Sequence, residues 1–592
     1  MKRMEINCDV AVIGGGIAGI CAAIAAARMG TKTVLLQDRP VLGGNASSEI
    51  RMHIVGASRH GTKPNRRETG IIEEILLENK YRNSEHSYGI FDTILWEKVH
   101  FQENLDLYLN TYVNSLDKKG DKIISVTANQ TTTEKELTVF AKQFIDCSGD
   151  GLPSFLAGAE YMFGREGKDV FGEKHTIEKS DHVTMGNSIQ FRSLDAGRPV
   201  PFVRPSWAYD FSNSPWVKKE TWEEITSGYF WLEIGGTELN VLDDAELTRD
   251  ELLKIVYGIW DYIKNHSPKK EEAKNYYLDW VGFLPAKRET RRIVGDYILT
   301  ETDILENRRF PDAIAYGGWH IDDHNPGGFH ARIKEIDYPE AESLKFEGIY
   351  TIPYRAIYAK GIDNLFLGGR IISTSHRALA STRVMGTCAV AAEGAGIAAA
   401  IAAKRGLTAK DNICNINEIQ QQLLMRGCYI PDIAANDPLD KAQSATVTAS
   451  SFCDGAEPEN VTNGISRPVG ENSNMWISKE AAENQSISLS WDSEQNLQKM
   501  YITFDSNLSV EIMPSLSKWH HVRQSYSVPD TILKDFKIEG FLGGRKVFEK
   551  MIEGNYQRLL EIPIECCCDK ITITSIKTHG CEAARICEIR IY

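Results

Sequence analysis

Residues 8–13 (CDVAVI) form a short apolar run rich in β-branched side chains, and this run passes directly into Gly14-Gly15-Gly16-Ile17-Ala18-Gly19 and an alanine-rich stretch. No other feature of the 592-residue chain restricts the fold as much. The pattern reads as strand, tight turn and helix. In that setting Gly14 permits the turn, Gly16 lets the backbone approach a pyrophosphate, and Gly19 lets the helix lie close to the strand. Ile17 and Ala18 open the helix, whose unbonded N–H groups and positive dipole end attract phosphate without a lysine. Alone, these glycines also suit an ordinary glycine-rich turn. The context favours the phosphate reading: Gly30 closes the helix and residues 32–36 (KTVLL) supply a second buried strand, completing a β-α-β unit of about 30 residues. An acidic residue after such a strand usually meets the ribose hydroxyls. Here Gln37 stands at that place with Asp38 beside it. The Gln37 amide oxygen can accept from a ribose hydroxyl, without a carboxylate's charge-assisted strength.

The stretch Asp38-Arg39-Pro40-Val41-Leu42-Gly43-Gly44-Asn45-Ala46-Ser47-Ser48-Glu49 resembles the second characteristic segment of the FAD-dependent oxidoreductases of the glutathione-reductase-like superfamily. The resemblance implies FAD as cofactor, with Gly43 and Gly44 against its diphosphate and with contacts from Arg39, Asn45 and Ser48. It also implies that Arg51 and His53 lie near the flavin ring or the substrate. Phe144-Ile145-Asp146-Cys147-Ser148-Gly149-Asp150-Gly151 resembles the family's Ala-Thr-Gly-Asp-Gly segment, which would bring Gly149 and Asp150 beside the cofactor; a plain strand-to-helix turn is the alternative. Asp363-Asn364-Leu365-Phe366-Leu367-Gly368-Gly369-Arg370, followed by Ser373, His376, Arg383 and a small-residue helix to Ala403, resembles the segment that closes the flavin site. By that resemblance Gly369, Arg370 and Arg383 contact FAD and a helix N-terminus faces the flavin N1–C2=O edge. The physics suits the role, because reduced flavin is anionic there and a helix N-terminus stabilises an anion. Taken by itself the segment is equally a small-residue packing helix; its order after the N-terminal unit favours FAD.

Between these segments, residues 166–344 are expected to cover the substrate. Their landmarks are Leu284-Pro285-Ala286, Arg288-Glu289-Thr290-Arg291-Arg292, Trp319-His320-Ile321-Asp322-Asp323-His324 and His330, followed by Ile352-Pro353-Tyr354-Arg355, all with counterparts in a broad group of FAD-dependent oxidoreductases. His320, His324 and His330 with Asp322 or Asp323 suggest metal ligands, but their spacing matches no zinc motif, so a polar substrate pocket is expected and no metal. Arg288, Arg291 and Arg292 suit either a substrate carboxylate or structural ion pairs. Oxidation of an alcohol sends hydride to flavin and the hydroxyl proton to a base, for which histidine is the natural candidate. His376 ranks first and His53 second, with His320 and His324 orienting substrate and Arg51 nearby; the alternative for His376 is a hydrogen bond to backbone near the ring. No second glycine-rich fingerprint follows a strand within 100–340 and no C-x-x-C occurs, which argues against an NAD(P)H domain or a redox dithiol. The electron acceptor is left unnamed.

The formal charge of −14 repels phosphate backbones, and no basic stripe offsets it, so nucleic acid is not an expected partner. With 42% hydrophobic and 25% charged residues and mean hydropathy −0.31, the composition is that of a globular protein with more than one core. The apolar stretches at 18–27 and 388–403 are short or interrupted, so no membrane span is expected. Twelve scattered cysteines fit free thiols in a reducing compartment, and the short charged start does not read as a signal peptide; a cytoplasmic location is the expectation. Cys566, Cys567 and Cys568 in a strand point to alternating faces and do not converge on one metal.

A short helix near 417–426 and a linker at 430–438 precede short alternating runs at 486–491, 499–504 and 570–576, an all-β pattern. With 445–451, Asn460-Val461-Thr462-Asn463-Gly464, Trp476 and the closing 584–592, this part resembles a discoidin-type, galactose-binding-like β-sandwich. The resemblance implies sugar-binding tip loops, sometimes with calcium; a sandwich that only packs or mediates homo-oligomerisation fits as well. The expected architecture is α/β: a discontinuous Rossmann-type FAD-binding domain (1–165 and 345–436), an inserted α+β substrate or cap domain (166–344), and a C-terminal β-sandwich (437–592). The expected activity is hydride removal by FAD from a polar, carbohydrate-like small molecule or glycan. The alternatives are a carboxylate or enoate redox enzyme of fumarate-reductase type and a carbohydrate-binding protein with structural FAD. Aromatic tip loops would favour sugar; paired arginines at the flavin would favour a carboxylate.

Overall fold

A computed structural model describes residues 2–219, 224–227, 229–230, 232–479 and 481–592. The N-terminal motif forms as read: β1 (Lys2–Ile13), α1 (Ile17–Arg28) and β2 (Thr33–Leu36). With β3 (Leu105–Tyr108), β4 (Thr111–Lys119), β5 (Lys122–Gln130) and β6 (Lys135–Asp146), they build a mixed sheet in the order β3-β2-β1-β6-β5-β4. β3, β2, β1 and β6 run parallel, and β7 (Leu365–Leu367) adds in parallel to the end of β6. Residues 135–140 of β6 also pair antiparallel with β5, so this one long strand joins a parallel nucleotide-type sheet to an antiparallel flap. The chain leaves β1 for β2 on one side while β6 lies on the other. That reversal opens a crevice beyond the carboxyl ends Ile13, Leu36 and Asp146, where ligands of open α/β sheets bind.

Two further helices place groups near the crevice, α3 (His376–Thr382) and α4 (Met385–Arg405), whereas α2 (Ala245–Asp261) lies in the middle region. α4 lies against α1, and a Cβ on Gly396 would sit 2.3 Å from the Ala22 carbonyl oxygen, so the small residues serve close helix packing. The helix is longer and more continuous than the apolar stretch suggested: it is long and apolar enough to cross a membrane, yet 94% of that window is buried inside the protein. Residues 189–329 gather an apolar core of their own around α2, with Phe191, Leu252, Ile259, Trp260 and Phe329 at its centre.

The chain divides into two compact units: residues 1–59, 86–416 and 513–522 form one, and residues 60–85, 417–512 and 523–592 the other. These bounds differ from the expected ones. The substrate region is not a separate unit, the second unit begins before 437, and it takes in 60–85 while giving up 513–522. The second unit is an antiparallel β-sandwich. Its strands are β8 (Thr446–Ala449), β9 (Trp476–Ile477), β10 (Ser486–Phe504), β11 (Leu533–Leu542), β12 (Arg545–Ile552), β13 (Leu559–Thr578) and β14 (Arg585–Ile591), in the order β9-β14-β10-β13-β11-β12 with β8 on β10. Alternating Phe536 and Ile538, Ile562 and Ile564, and Ile571 and Ile573 point into one core with Trp476. The helix Ile71–Arg82 joins this unit through Arg67, whose guanidinium meets Glu73 at 2.7 Å and donates to the Ser506 carbonyl, and through Tyr81 stacked on Tyr556. Such links across more than 400 residues leave no periodic trace in sequence.

Candidate active site

The crevice opens into a cavity of about 550 Å³ in the first unit. Its floor is the glycine turn. Gly14 sits at φ +102°, and a Cβ there would lie 2.3 Å from the Cys147 carbonyl oxygen, so only glycine fits. A Cβ on Gly19 would overlap the Gly14 carbonyl, and Gly19 therefore serves helix-to-turn packing rather than the cavity wall. Gly16 faces the cavity; the nearest atom to a Cβ there is Gly44 Cα at 3.9 Å, so the lining is open where a ligand backbone or phosphate would approach.

Two helix N-termini face this space. α1 starts after Gly16 and α4 after Val384, neither has a side-chain cap or an acidic residue in its first turn, and Gly16, Ile17, Ala18, Val384 and Met385 all line the cavity. Helix starts without side-chain caps present N–H donors and positive dipole ends to an anion. This donor set, the opening at Gly16 and the cavity size fit a dinucleotide cofactor such as FAD. Gln37, Asp38, Arg39, Gly43, Gly44, Asn45, Gly149, Asp150, Gly369, Arg370 and Arg383, the residues expected to contact FAD, also line the wall. Gln37 has a further role: its Oε1 accepts from the Gly15 N–H at 2.7 Å and its Nε2 donates to the Val41 carbonyl, so the amide braces the phosphate turn. Ser48 lies off the wall, with its N–H donating to Asp92.

Asp150 is clamped by Lys287 Nζ at 2.6 Å and Arg370 at 3.0 Å. Burial alone would raise its carboxyl, but the two cations hold it below the usual carboxylate range. Lys287 is a wall residue that sequence reasoning missed, although it directly follows the Leu284-Pro285-Ala286 landmark.

At the other end stands a chain of opposed charges. Arg288 meets Glu233 at 2.8 Å, Glu233 meets His324 Nδ1 at 2.8 Å, His324 Nε2 faces Asp322 at 3.5 Å, and Asp322 faces Arg383 at 3.5 Å. Arg288, Asp322, His324 and Arg383 line the cavity together with Trp319, Phe230 and His53. Burial works against charge on His324, but Glu233 and Asp322 outweigh it and raise the imidazole above its ordinary value. Asp322 is held well below the carboxylate range, against burial, by His320, His324 and Arg383. Glu233 carried no signal in the sequence, because its segment resembles no motif.

Several histidine and arginine expectations need correction. His376, ranked first as base, is buried off the wall at the start of α3, with Nδ1 3.0 Å from Glu289 and Nε2 3.2 Å from Asp323. Burial opposes its charge, yet the two carboxylates push it up to about 10. It stays protonated near neutrality and donates both N–H groups, a clamp rather than a base. His320 sits behind the wall, 3.4 Å from Asp322 and against Trp319. His330 lies beside Glu251 in another recess, so His320, His324 and His330 do not converge. Arg51 is held at φ +62° with its guanidinium 4.0 Å from the Trp280 ring centroid, off the wall. Arg292 is fully buried against Glu166 and Glu289, the structural alternative. Arg291 donates to the Asp150 carbonyl at 3.0 Å.

The sandwich unit carries its own recess of about 510 Å³, lined by Glu471, Asn472, Asp505, Asn507, Asp530 and Arg585 among others. Among the described residues its lining has no aromatic ring, the feature expected to favour sugar. Cys566 and Cys568 share one side of β13 with sulfurs 3.8 Å apart, and Cys567 faces Glu494 instead.

Comparison with solved structures finds a fucose-binding module of Streptococcus pneumoniae (15% identity, 26% of this chain and 96% of that one, TM-score 0.20). It also finds the family 32 carbohydrate-binding module of C. perfringens NanJ in complex with galactose (18% identity, 25% and 94%, TM-score 0.19). Residues 9–423 match the family model for FAD dependent oxidoreductases. That match spans most of the chain and every wall of the larger cavity, and the protein belongs to the FAD-dependent oxidoreductase family.

Proposed function

We propose that the protein, as a member of the glutathione-reductase-like superfamily, oxidises a hydroxyl-bearing carbon of a polar, neutral, carbohydrate-like substrate. FAD, when bound, accepts the hydride. The observation that carries the substrate class is the balance of charge at the polar end of the cavity: Arg288 is answered by Glu233 at 2.8 Å and Arg383 by Asp322 at 3.5 Å. An incoming carboxylate would have to displace these anions. A hydroxyl instead donates to Asp322 while accepting from Arg383 or His324, which suits a molecule with many hydroxyls. Trp319 and Phe230 add flat apolar faces for its C–H groups.

Loss of hydride from the C–H carbon and of the proton from its hydroxyl leaves a carbonyl, and the proton needs an acceptor. His53 takes this role. It lines the cavity, whereas His376 is sealed between carboxylates and His324 keeps its own proton between Glu233 and Asp322. His324 then orients a substrate oxygen by donation.

His324 also supports a second reading: Glu233 and Asp322 favour its protonated form, and reduction of an alkene beside a carboxylate requires a proton donor. The deciding experiment mixes flavin-loaded protein anaerobically with glucose, galactose, mannose and their methyl glycosides, and separately mixes the reduced protein with fumarate and other enoates. Bleaching by a sugar supports the first reading. Reoxidation by an enoate, with no sugar active, supports the second; no change in either arm supports a structural FAD.

A further inference from the structure

The segment 513–522 interrupts the sandwich sequence between β10 and β11, yet belongs to the first unit. It is fastened there at several points. Ser227 Oγ donates to the Leu516 carbonyl at 2.6 Å, while Ser517 Oγ and the Lys518 N–H donate to Glu224 at 3.0 and 2.7 Å. Glu224 and Ser227 stand shortly before Phe230 in the chain, and Phe230 is a cavity wall residue whose carbonyl accepts from Ser188 Oγ and from Arg288, each at 2.8 Å. The segment thus braces Glu224 and Ser227, close in sequence to one aromatic face of the cavity.

Its aromatic side chain His520 is buried, only 6% exposed. The His520 ring lies 4.5 Å from that of His53 and 6.1 Å from that of Phe230, and the His53 ring stands edge-on to Phe230 at 4.2 Å. Three rings therefore form one cluster, with His53 and Phe230 on the cavity wall and His520 directly behind them. Interleaved rings at these spacings limit each other's torsions. A side chain in the wall keeps a productive orientation only if its supporting neighbours are themselves fixed.

We infer that the segment 513–522, delivered from the sandwich sequence, is a built support behind the substrate wall, and that His520 is a positioning residue that holds the His53 imidazole toward the cavity. The inference rests on the reading of His53 as proton acceptor. It gives the carboxyl-terminal part of the chain a place in the oxidoreductase that the family match, which ends at residue 423, does not cover.

The test uses the full chain carrying FAD, in wild type, His520→Ala, His520→Phe and His53→Ala forms. The first readout needs no substrate: carbethoxylation of His53 by diethyl pyrocarbonate, followed by mass spectrometry of its peptide. Loss of the covering ring in His520→Ala should speed this modification several-fold, and His520→Phe, which replaces the ring without its nitrogens, should return it toward wild type. The second readout is the anaerobic flavin reduction rate at saturating and low concentrations of the sugar from the panel that bleaches wild type fastest. Misplacement of a reacting group costs up to roughly 10²-fold, so His520→Ala should lose about tenfold or more in the saturated rate with little change in half-saturation, and His520→Phe should recover most of it. Unchanged carbethoxylation in His520→Ala overturns the inference, and so does a wild-type saturated rate in that variant when His53→Ala is slow. A wild-type rate in His53→Ala instead overturns the role of His53 while the carbethoxylation result still judges the contact.

Discussion

Replacing His376 with alanine separates a clamp from a base. In the folded protein the imidazolium bridges Glu289 and Asp323, both fully or almost fully buried, and Arg377 also reaches Asp323 at 2.9 Å. Removing the cation leaves buried carboxylate charge without its partner, a loss of about 3–5 kcal/mol for a broken buried pair. Arg292 still faces Glu289 and Arg377 still faces Asp323, which points to the lower part of that range, about 3 kcal/mol. The pH dependence has a defined sign. The His376 pKa rises on folding from 6.5 to about 10, so its contribution is complete below pH 6.5 and disappears as pH rises through about 10. Asp323, lowered from 3.8 to about 2, contributes above 3.8 and loses its contribution as pH falls through about 2. Urea unfolding followed by release of flavin fluorescence at pH 7 and pH 10 measures the effect. The expected result is a large destabilisation of His376→Ala at pH 7 that shrinks toward pH 10. A variant of wild-type stability whose flavin is reduced roughly 10²-fold or more slowly would refute the clamp and return His376 to the role of base.

Other perturbations test separate parts of the account. A chain ending at Pro438 exposes the surface of Ile71–Arg82 that the sandwich buries and lacks 513–522, so it should be insoluble or lose its flavin; a soluble, yellow truncation would show that the first unit stands without them. Arg67→Met leaves the buried Glu73 with the Ser506 hydroxyl and the longer 3.5 Å contact from Arg558 as its cation, and should cost the sandwich unit about 3 kcal/mol in urea unfolding followed by tryptophan fluorescence, with FAD retained. Glu233→Gln frees Arg288 from its carboxylate and should let fumarate or succinate perturb the flavin spectrum, which wild type should resist; equal response in both proteins would remove the charge-balance argument.

The glycine-turn end of the cavity was legible because it depends on short-range rules: a glycine that must adopt φ +102°, a helix start without a side-chain cap, and a small-residue helix that lies against another. Each leaves its mark within a few residues of sequence. The polar end depends on Glu233, Arg288, Asp322 and Arg383, four positions spread over 150 residues and joined only by folding, and only the arginines and the 319–324 cluster were visible beforehand. His376 misled for a physical reason: its place after a flavin-type segment was right, but its two carboxylate partners come from distant segments and reverse its protonation. The same long-range ties explain why 60–85 and 513–522 exchange units against the order of the chain. Apolar alternation revealed the sandwich strands, whereas its recess is formed by loops without a pattern.

FAD binds in the cavity between the starts of α1 and α4. Stoichiometric titration of FAD into flavin-free protein tests it most directly, with wild type and Gly16→Val compared, since a side chain at Gly16 would enter the open face of the turn. Wild type should bind one FAD per chain, and Gly16→Val should show no measurable retention while remaining folded. Wild type that binds no FAD, or a folded Gly16→Val protein that binds it as tightly as wild type, would contradict the claim.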